Sequence, residues 1–260
     1  MSLFKRSKRA AVLGCGPAGL FAAHGLIEAG WNVDIFSIKR RSEMFGAQYL
    51  HEPIHGLVER DSLITYELLG TPEEYRRKVY GDAPVGTVSP EQFVGTQRVW
   101  DIRSAYYDAW DKYHELIQHQ PLDNRVAGEI VKGAYNAVVS SVPAPSLCGA
   151  GHQFQSTRVW AIGDAPERGI FSPVNPGSNK VICNGERSPG WYRASRVFGY
   201  NTTEWPEAAK PPISGVAVVL KPTGTNCNCL PDLVRVGRYG TWTKGVLSHE
   251  AYKTAKELAR

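Results

Sequence analysis

The sequence predicts an α/β fold in which a parallel, doubly wound sheet carries a smaller lobe of antiparallel sheet and helix. Three observations predict it. An apolar strand over Arg9 to Leu13 runs straight into the glycine turn Gly14-Cys15-Gly16-Pro17-Ala18-Gly19. The turn opens a helix of small residues reaching Ile27, and Gly30 ends that helix before a second strand over Trp31 to Ile38. Further on, the apolar run Ala134 to Pro143 reads as another buried strand, and the chain beyond it breaks into short strands set apart by Gly, Pro, Asn and Ser clusters.

The first forty residues therefore form a β-α-β unit of the length that a dinucleotide fold requires. Glycine at 14 permits the tight turn, Gly16 lets the backbone approach a pyrophosphate, and Gly19 permits close contact between helix and strand. A glycine fingerprint alone is a weak signal. One that follows a strand and opens a helix inside such a unit is strong.

From His51 to Gln120 the pattern changes to turns, a strand near Leu63 to Leu69 and two helices. Thr71-Pro72-Glu73-Glu74 combines a capping Thr, a Pro at the first helical position and a reciprocal Glu, which marks a helix start. A longer helix is expected over Gln97 to Gln118, with Trp100, Ser104, Tyr107, Trp110 and His114 on one face. The run Ala134 to Pro143 suits a central strand whose tip opens into a loop, a ligand position. Strands at Arg158 to Ile162, Lys180 to Asn184 and Trp191 to Phe198 suggest an antiparallel meander. The last part reads as strands at Val216 to Leu220 and Leu233 to Val236, the turn Gly237-Arg238-Tyr239-Gly240, and a helix with Leu247, Ala251, Ala255 and Leu258 on its apolar face, which Ser248 can cap.

Composition narrows the classes of function. Thirty basic against 25 acidic residues leave a net charge of +5, too modest to identify a nucleic-acid binder, although it permits an anionic ligand. The cluster Lys5 to Arg9 is the clearest local excess of positive charge and reads as a solvated tail that would suit DNA. Five cysteines form no disulfide framework, so a reducing compartment is expected. Cys227-Asn228-Cys229 is the one close pair; no group of suitable spacing completes a zinc site, so a structural turn and no metal centre are expected. The apolar run before Gly14 is too short for a signal peptide, and no stretch approaches a membrane span, so a cytoplasmic protein is expected.

The segment Gly14 to Leu20, with Gly30 in place, resembles the fingerprint of the two-dinucleotide-binding-domain flavoproteins, which implies a Rossmann-like FAD-binding domain and FAD as cofactor. That family carries Glu where this chain has Ser37, so Ser37 becomes the ribose contact, while Asp34 stays inside the strand. Lys39, Arg40 and Arg41 follow; they could serve the FAD diphosphate or, as a competing reading, an NADP 2′-phosphate. Gly46 and Gln48 fall where the family places a turn beside the flavin. Ala134 to Pro143 is similar to a strand of amine oxidases and UDP-galactopyranose mutases, which puts Val142 at the cofactor. Gly237 to Trp242 is similar to the closing segment of the mutases, implying FAD contacts by Gly237, Arg238, Gly240 and Trp242. Gly163-Asp164 is a rival for that closing role.

The resemblance assigns residues 1–60, 124–150 and 214–260 to an FAD-binding domain, and 61–123 with 151–213 to a substrate lobe of antiparallel sheet and helices. Arg193, with Arg187 and Arg196 nearby, is a candidate for substrate, and His51 and His249 are candidate acid or base groups. The function expected is an FAD-dependent oxidoreductase that oxidises a C–N bond by hydride transfer, in the manner of an amine oxidase or of the bacteriophage lyases that act on a hypermodified thymine in DNA. A redox-neutral nucleotide-sugar mutase and a flavin-binding module without turnover are the alternatives, and the oligomeric state is left open.

Overall fold

The computed structural model describes residues 8–38, 40–81, 90–163, 172–209, 211, 213 and 216–260. The chain opens with β1 (Arg9–Leu13), α1 (Pro17–Glu28) and β2 (Asn32–Ser37), then enters β3 (Asp61–Leu69), α2 (Pro72–Tyr80) and β4 (Gly95–Trp100). It returns through α3 (Ile102–Tyr113), β5 (Ile117–His119), α4 (Asn124–Val131) and β6 (Ala137–Ser140). A second excursion follows through β7 (Phe154–Ala161), β8 (Lys180–Asn184), β9 (Arg193–Val197), β10 (Tyr200–Pro206) and β11 (Ala217–Thr225). The chain closes with β12 (Leu233–Arg235), the short α5 (Gly237–Thr241) and α6 (Ser248–Leu258).

Two sheets organise these elements. The first has the spatial order β12-β6-β1-β2-β5, and every pairing in it is parallel. Numbered by its own strands, this is the 3-2-1-4-5 order of a dinucleotide-binding half, whose crevice opens where the order reverses, between β1 and β6. Its strands carry Ala10, Ala11, Val12 and Leu13 fully buried, because helices cover both faces. One face packs on Leu20, Phe21 and Leu26 of α1, Tyr106 of α3 and Ala255 of α6, the other on Ala127 of α4. The second sheet runs β11-β7-β10-β9-β8-β3-β4; all its pairings are antiparallel except that of β3 with β8. Ile64, Val159, Val181 and Tyr192 on one face of it meet Tyr75 and Val79 of α2.

Several expectations need correction. The stretch Gln97 to Gln118 is no single helix. Its first residues finish β4 on β3, Asp101 then accepts from the Arg103 and Ser104 amides as the cap of α3, and the last residues join β2 as β5. Helical spacing of Trp100 and Ser104 does not see that intervening cap. Two of the expected domain segments also change sheet: β5 belongs to the parallel sheet, and β11 pairs with β7 in the second. Strand β10, unannounced by its polar Asn201, Thr202, Thr203 and Glu204, lies inside the second sheet between β7 and β9, with Thr202, Thr203 and Glu204 buried. Ser248 is the first residue of α6 rather than its cap; Glu250 reaches back to the Leu247 amide at 2.8 Å and closes that end. The Cys227 to Cys229 turn is not alone either, because Cys148 and His152, the latter 77 positions from Cys229, lie beside it. By contrast α2 starts as expected, with Thr71 Oγ1 accepting from the Glu74 amide and the Glu74 carboxylate accepting from the Thr71 amide.

Among the described residues no helix is long and apolar enough to cross a membrane. Of the basic stretch, Lys5, Arg6 and Ser7 lie outside the described residues. Lys8 sits over the Trp31 ring at 5.0 Å, and Arg9, the first residue of β1, pairs with Asp34 at 2.8 Å. Arg9 is therefore part of the sheet rather than a solvated tail.

Candidate functional site

A cavity of about 1040 Å³ opens at the C-terminal ends of β1 and β6, where the parallel sheet reverses its strand order, and is closed on the far side by the second sheet. Its near wall begins at the glycine turn. Gly14 leaves β1 with φ +96°, its amide donating to the Phe36 carbonyl at 2.8 Å. A Cβ there would meet the Ser141 hydroxyl at 2.6 Å. Gly16 then caps α1 without a side-chain acceptor, Pro17 follows, and the first turn holds no acidic residue. The positive end of the α1 dipole therefore faces the cavity at Gly16, Pro17 and Ala18, an arrangement suited to an anion.

Gly19 lies one turn deeper, and a Cβ there would stand 2.1 Å from the Gly14 carbonyl oxygen. It acts through helix-to-strand contact, not at the cavity wall. Gly237 follows the same logic: with φ +68° it presses on Ala18, where a Cβ would come within 2.5 Å of the Ala18 Cβ. Gly240 is held against the Ser140 carbonyl. The cavity wall receives Gly237 and Arg238, together with Val142 from the tip after β6. Gly163, the rival, instead bridges to Phe45 and is not on that wall, and Asp164 lies outside the described residues.

Ser37 reaches the cavity at the end of β2, buried, with its hydroxyl accepting from the Cys15 thiol at 3.1 Å. Asp34 points elsewhere and is committed to Arg9, Tyr135 and Gln118. Arg40 and Arg41 line the cavity, Arg41 stacked over Tyr107 at 4.6 Å. Lys39 lies outside the described residues. Gln48 lines the cavity and donates to the Phe45 carbonyl at 3.0 Å. Gly46 sits just behind the wall with φ +73°, its amide bonded to the Ile162 carbonyl, and its missing side chain leaves the space that the Glu204 carboxylate occupies. Trp242 does not reach the cavity. It is buried, its indole N–H donating to the Gln155 carbonyl at 2.9 Å.

The far wall is made of side chains, and most of it had no signal in the sequence. Glu204 of β10, fully enclosed, accepts from Arg193 Nε at 2.5 Å, Tyr192 Oη at 2.5 Å, Lys221 Nζ at 2.8 Å and the Ala47 amide at 3.3 Å. Burial opposes its ionisation, but the Arg193 and Lys221 cations outweigh burial and hold its pKa at about 2. Arg193 is kept charged by the same pairing. Lys221 behaves differently, since burial lowers its pKa to about 8 even though Glu204 opposes the shift. Tyr49, also on the wall, is pushed up to about 12 by burial.

Arg193 is therefore at the cavity as expected, but as one member of a three-charge cluster. Arg196 lies at an odd spacing from it on β9, and Arg187 sits in the exposed loop after β8. Of the histidines, His51 lines the cavity, and partial desolvation lowers its pKa. His249 does not line it. It stands behind His51 with ring centres 6.2 Å apart, and its Nδ1 has no partner among the described residues.

No protein-family model matches this chain. No curated protein matches it. Among solved structures it is similar to the 2,6-dihydroxypyridine-3-hydroxylase of Arthrobacter nicotinovorans, with a TM-score of 0.54 and 14% identity, over 97% of this chain and 83% of that one. It is also similar to the tetrameric form of 2-methyl-3-hydroxypyridine-5-carboxylic acid oxygenase, with a TM-score of 0.51 and 14% identity, over 97% of this chain and 86% of that one. Neither is an amine oxidase or a mutase. At this identity the likeness is one of fold: the chain shares with these two enzymes a Rossmann-like parallel sheet, with a second sheet laid against its crevice.

Proposed function

We propose that this chain is an FAD-dependent oxidoreductase acting on a small molecule in the cavity between its two sheets. One observation carries the reading. A single cavity contains both an uncapped, acid-free helix N-terminus behind a glycine turn and, opposite it, a buried charge cluster with a lysine of lowered pKa. The residues fit FAD. Gly14, Gly16 and the amide of Ala18 would hold the diphosphate, Ser37 a ribose hydroxyl, and Gly237 with Arg238 the segment that closes the site. Gly14 and Gly237 both adopt a left-handed backbone that other residues rarely take. Bound there, the flavin supplies two-electron chemistry that no protein side chain has.

The protein's own groups handle position and protons. Glu204 is fully committed to Arg193, Lys221 and Tyr192, so it cannot hold a substrate ammonium. The surplus of positive charge on the wall, from Arg193, Lys221 and Arg238, lowers the pKa of any amine bound beside it. A neutral amine is the form whose C–N bond can be oxidised, which favours an amine or amino-acid-like substrate. Lys221 stays cationic in its pair with Glu204, so the proton that the amine gives up passes to His51, which lines the same cavity and whose pKa is lowered by partial desolvation. Lys8 and Arg9 are engaged with Trp31 and Asp34, so the reading commits to a free small molecule over a base carried on DNA.

The test is the absorption spectrum of the protein as isolated, with the released cofactor identified by mass, followed by anaerobic titration with amines. A yellow protein that releases FAD and is bleached by an amine supports the reading. Bleaching by a reduced nicotinamide instead would reassign the reaction to hydroxylation, and turnover only after prior reduction would make it redox-neutral. A colourless protein that takes up no FAD sinks the proposal.

A further inference from the structure

The chain crosses between its two sheets at one place in both directions. It leaves β6 through residues 141–153 to reach β7, and it returns from β11 through residues 226–232 to reach β12. The two passages lie side by side, tied by Thr225 Oγ1 donating to the Gln153 carbonyl at 2.8 Å and the Gln153 amide donating to Asn226 Oδ1 at 3.2 Å. At this crossing Cys148 and His152 from the first passage meet Cys227 and Cys229 from the second, with all four ligand atoms within 4.8 Å of one another.

We propose that these four side chains form a structural zinc site, Cys148-His152-Cys227-Cys229, that clasps the two crossings together. Three sulfurs and one imidazole nitrogen are the donor set of a closed structural zinc centre. The distances fit. A tetrahedron with Zn–S of about 2.3 Å and Zn–N of about 2.05 Å places each sulfur about 3.6 Å from the nitrogen and about 3.8 Å from the other sulfurs. His152 Nδ1 stands 3.4 Å from Cys148 Sγ and 3.5 Å from Cys229 Sγ. One N–H can serve one of those sulfurs well, whereas a cation between them serves both.

The surroundings suit thiolates. Backbone N–H groups of Ala150 and His152 stand against the Cys148 sulfur, and the Arg235 guanidinium donates to the Cys229 carbonyl at 3.0 Å. All four ligands are half-buried, enough to exclude bulk water while leaving an entry path. None of the four lines the flavin cavity, so the inference is independent of the proposed reaction. Arg235 links the two places structurally, since its other nitrogen donates to the Gly240 carbonyl at 3.4 Å, in the segment that closes that cavity. A soft tetrahedral set of this kind selects zinc over magnesium or calcium.

The experiment is elemental analysis of the full chain purified without chelator, coupled to cobalt substitution. About one zinc per chain that survives dialysis, and a cobalt form with thiolate-to-metal charge-transfer and tetrahedral ligand-field bands, are expected. Cys229→Ser should lower the bound zinc at least ~10-fold, and stripping the metal from the wild-type chain should lower its melting temperature by at least ~5 °C. If Cys229→Ser fails to fold, the cobalt spectrum of the wild type decides. Zinc below about 0.1 per chain with no cobalt bands, or a disulfide between two of these cysteines in the freshly isolated protein, would overturn the proposal.

Discussion

The two walls of the cavity work by opposite means. The wall at Gly14, Gly16 and Gly237 acts through what is missing: each position lacks a Cβ so that backbone, helix end or neighbouring segment can come close. The wall at Arg193, Glu204 and Lys221 acts through what is present, a buried carboxylate paired with two cations and bonded further by Tyr192 and the Ala47 amide. The first wall should therefore fail when an atom is added, and the second when one is taken away.

Gly19→Ala tests the packing directly behind the first wall most severely. Its methyl would lie 2.1 Å from a backbone oxygen that cannot step aside. A loss on the order of 4–5 kcal/mol, with no flavin in the purified protein, is expected from urea unfolding and absorbance. A stable yellow variant would show that helix and strand do not need the contact. Glu204→Gln tests the second wall, because it leaves Arg193 and Lys221 buried without their counter-ion. A cost of about 3 kcal/mol is expected.

The same carboxylate gives a pH signature. Its folded pKa of about 2 lies below the ordinary 4.5, so its contribution to stability is fully present above pH 4.5 and fades as pH falls from 4.5 toward 2. The wild type should lose stability over that window more steeply than Glu204→Gln, by melting temperature measured against pH. Equal slopes would mean that Glu204 is not held ionised by its partners. Smaller effects belong to single contacts on the first wall. Arg238→Ala should weaken FAD binding about 10-fold, one charge-assisted contact, by fluorescence titration. Ser37→Glu should change it least, leaving FAD binding intact or tighter; a clear loss would count against Ser37 as the ribose contact.

The parts legible in the sequence were those with a local cause. Strand β1, the glycine turn, α1 and β2 lie within thirty residues, and their hydrophobic period and glycine spacing are read from adjacent positions. The Thr71 cap is legible for the same reason. The segment Gln97 to Gln118 was misread because its helical spacing of aromatics spans a strand, a cap and a helix, and only pairing with β3 and β2 divides it. At the site, Gly14, Gly16, Ser37, Val142 and Gly237, expected at a cofactor, line the cavity, while Glu204 and Lys221 on its far wall carried no expectation. No motif surrounds those two, and β10 reads as polar until its neighbours bury it.

By itself, then, the sequence determined a β-α-β unit opening on a glycine turn, because each requirement there is met by residues one to five positions apart. The tertiary structure alone decided what faces that turn. Lys221 gains its lowered pKa from burial, against the opposing pull of Glu204, which arrives on a separate strand, and His152 meets Cys229 from 77 positions away. Charge and ligand geometry fall off over a few ångströms of space, and distance along the chain carries no record of which residues folding brings that close.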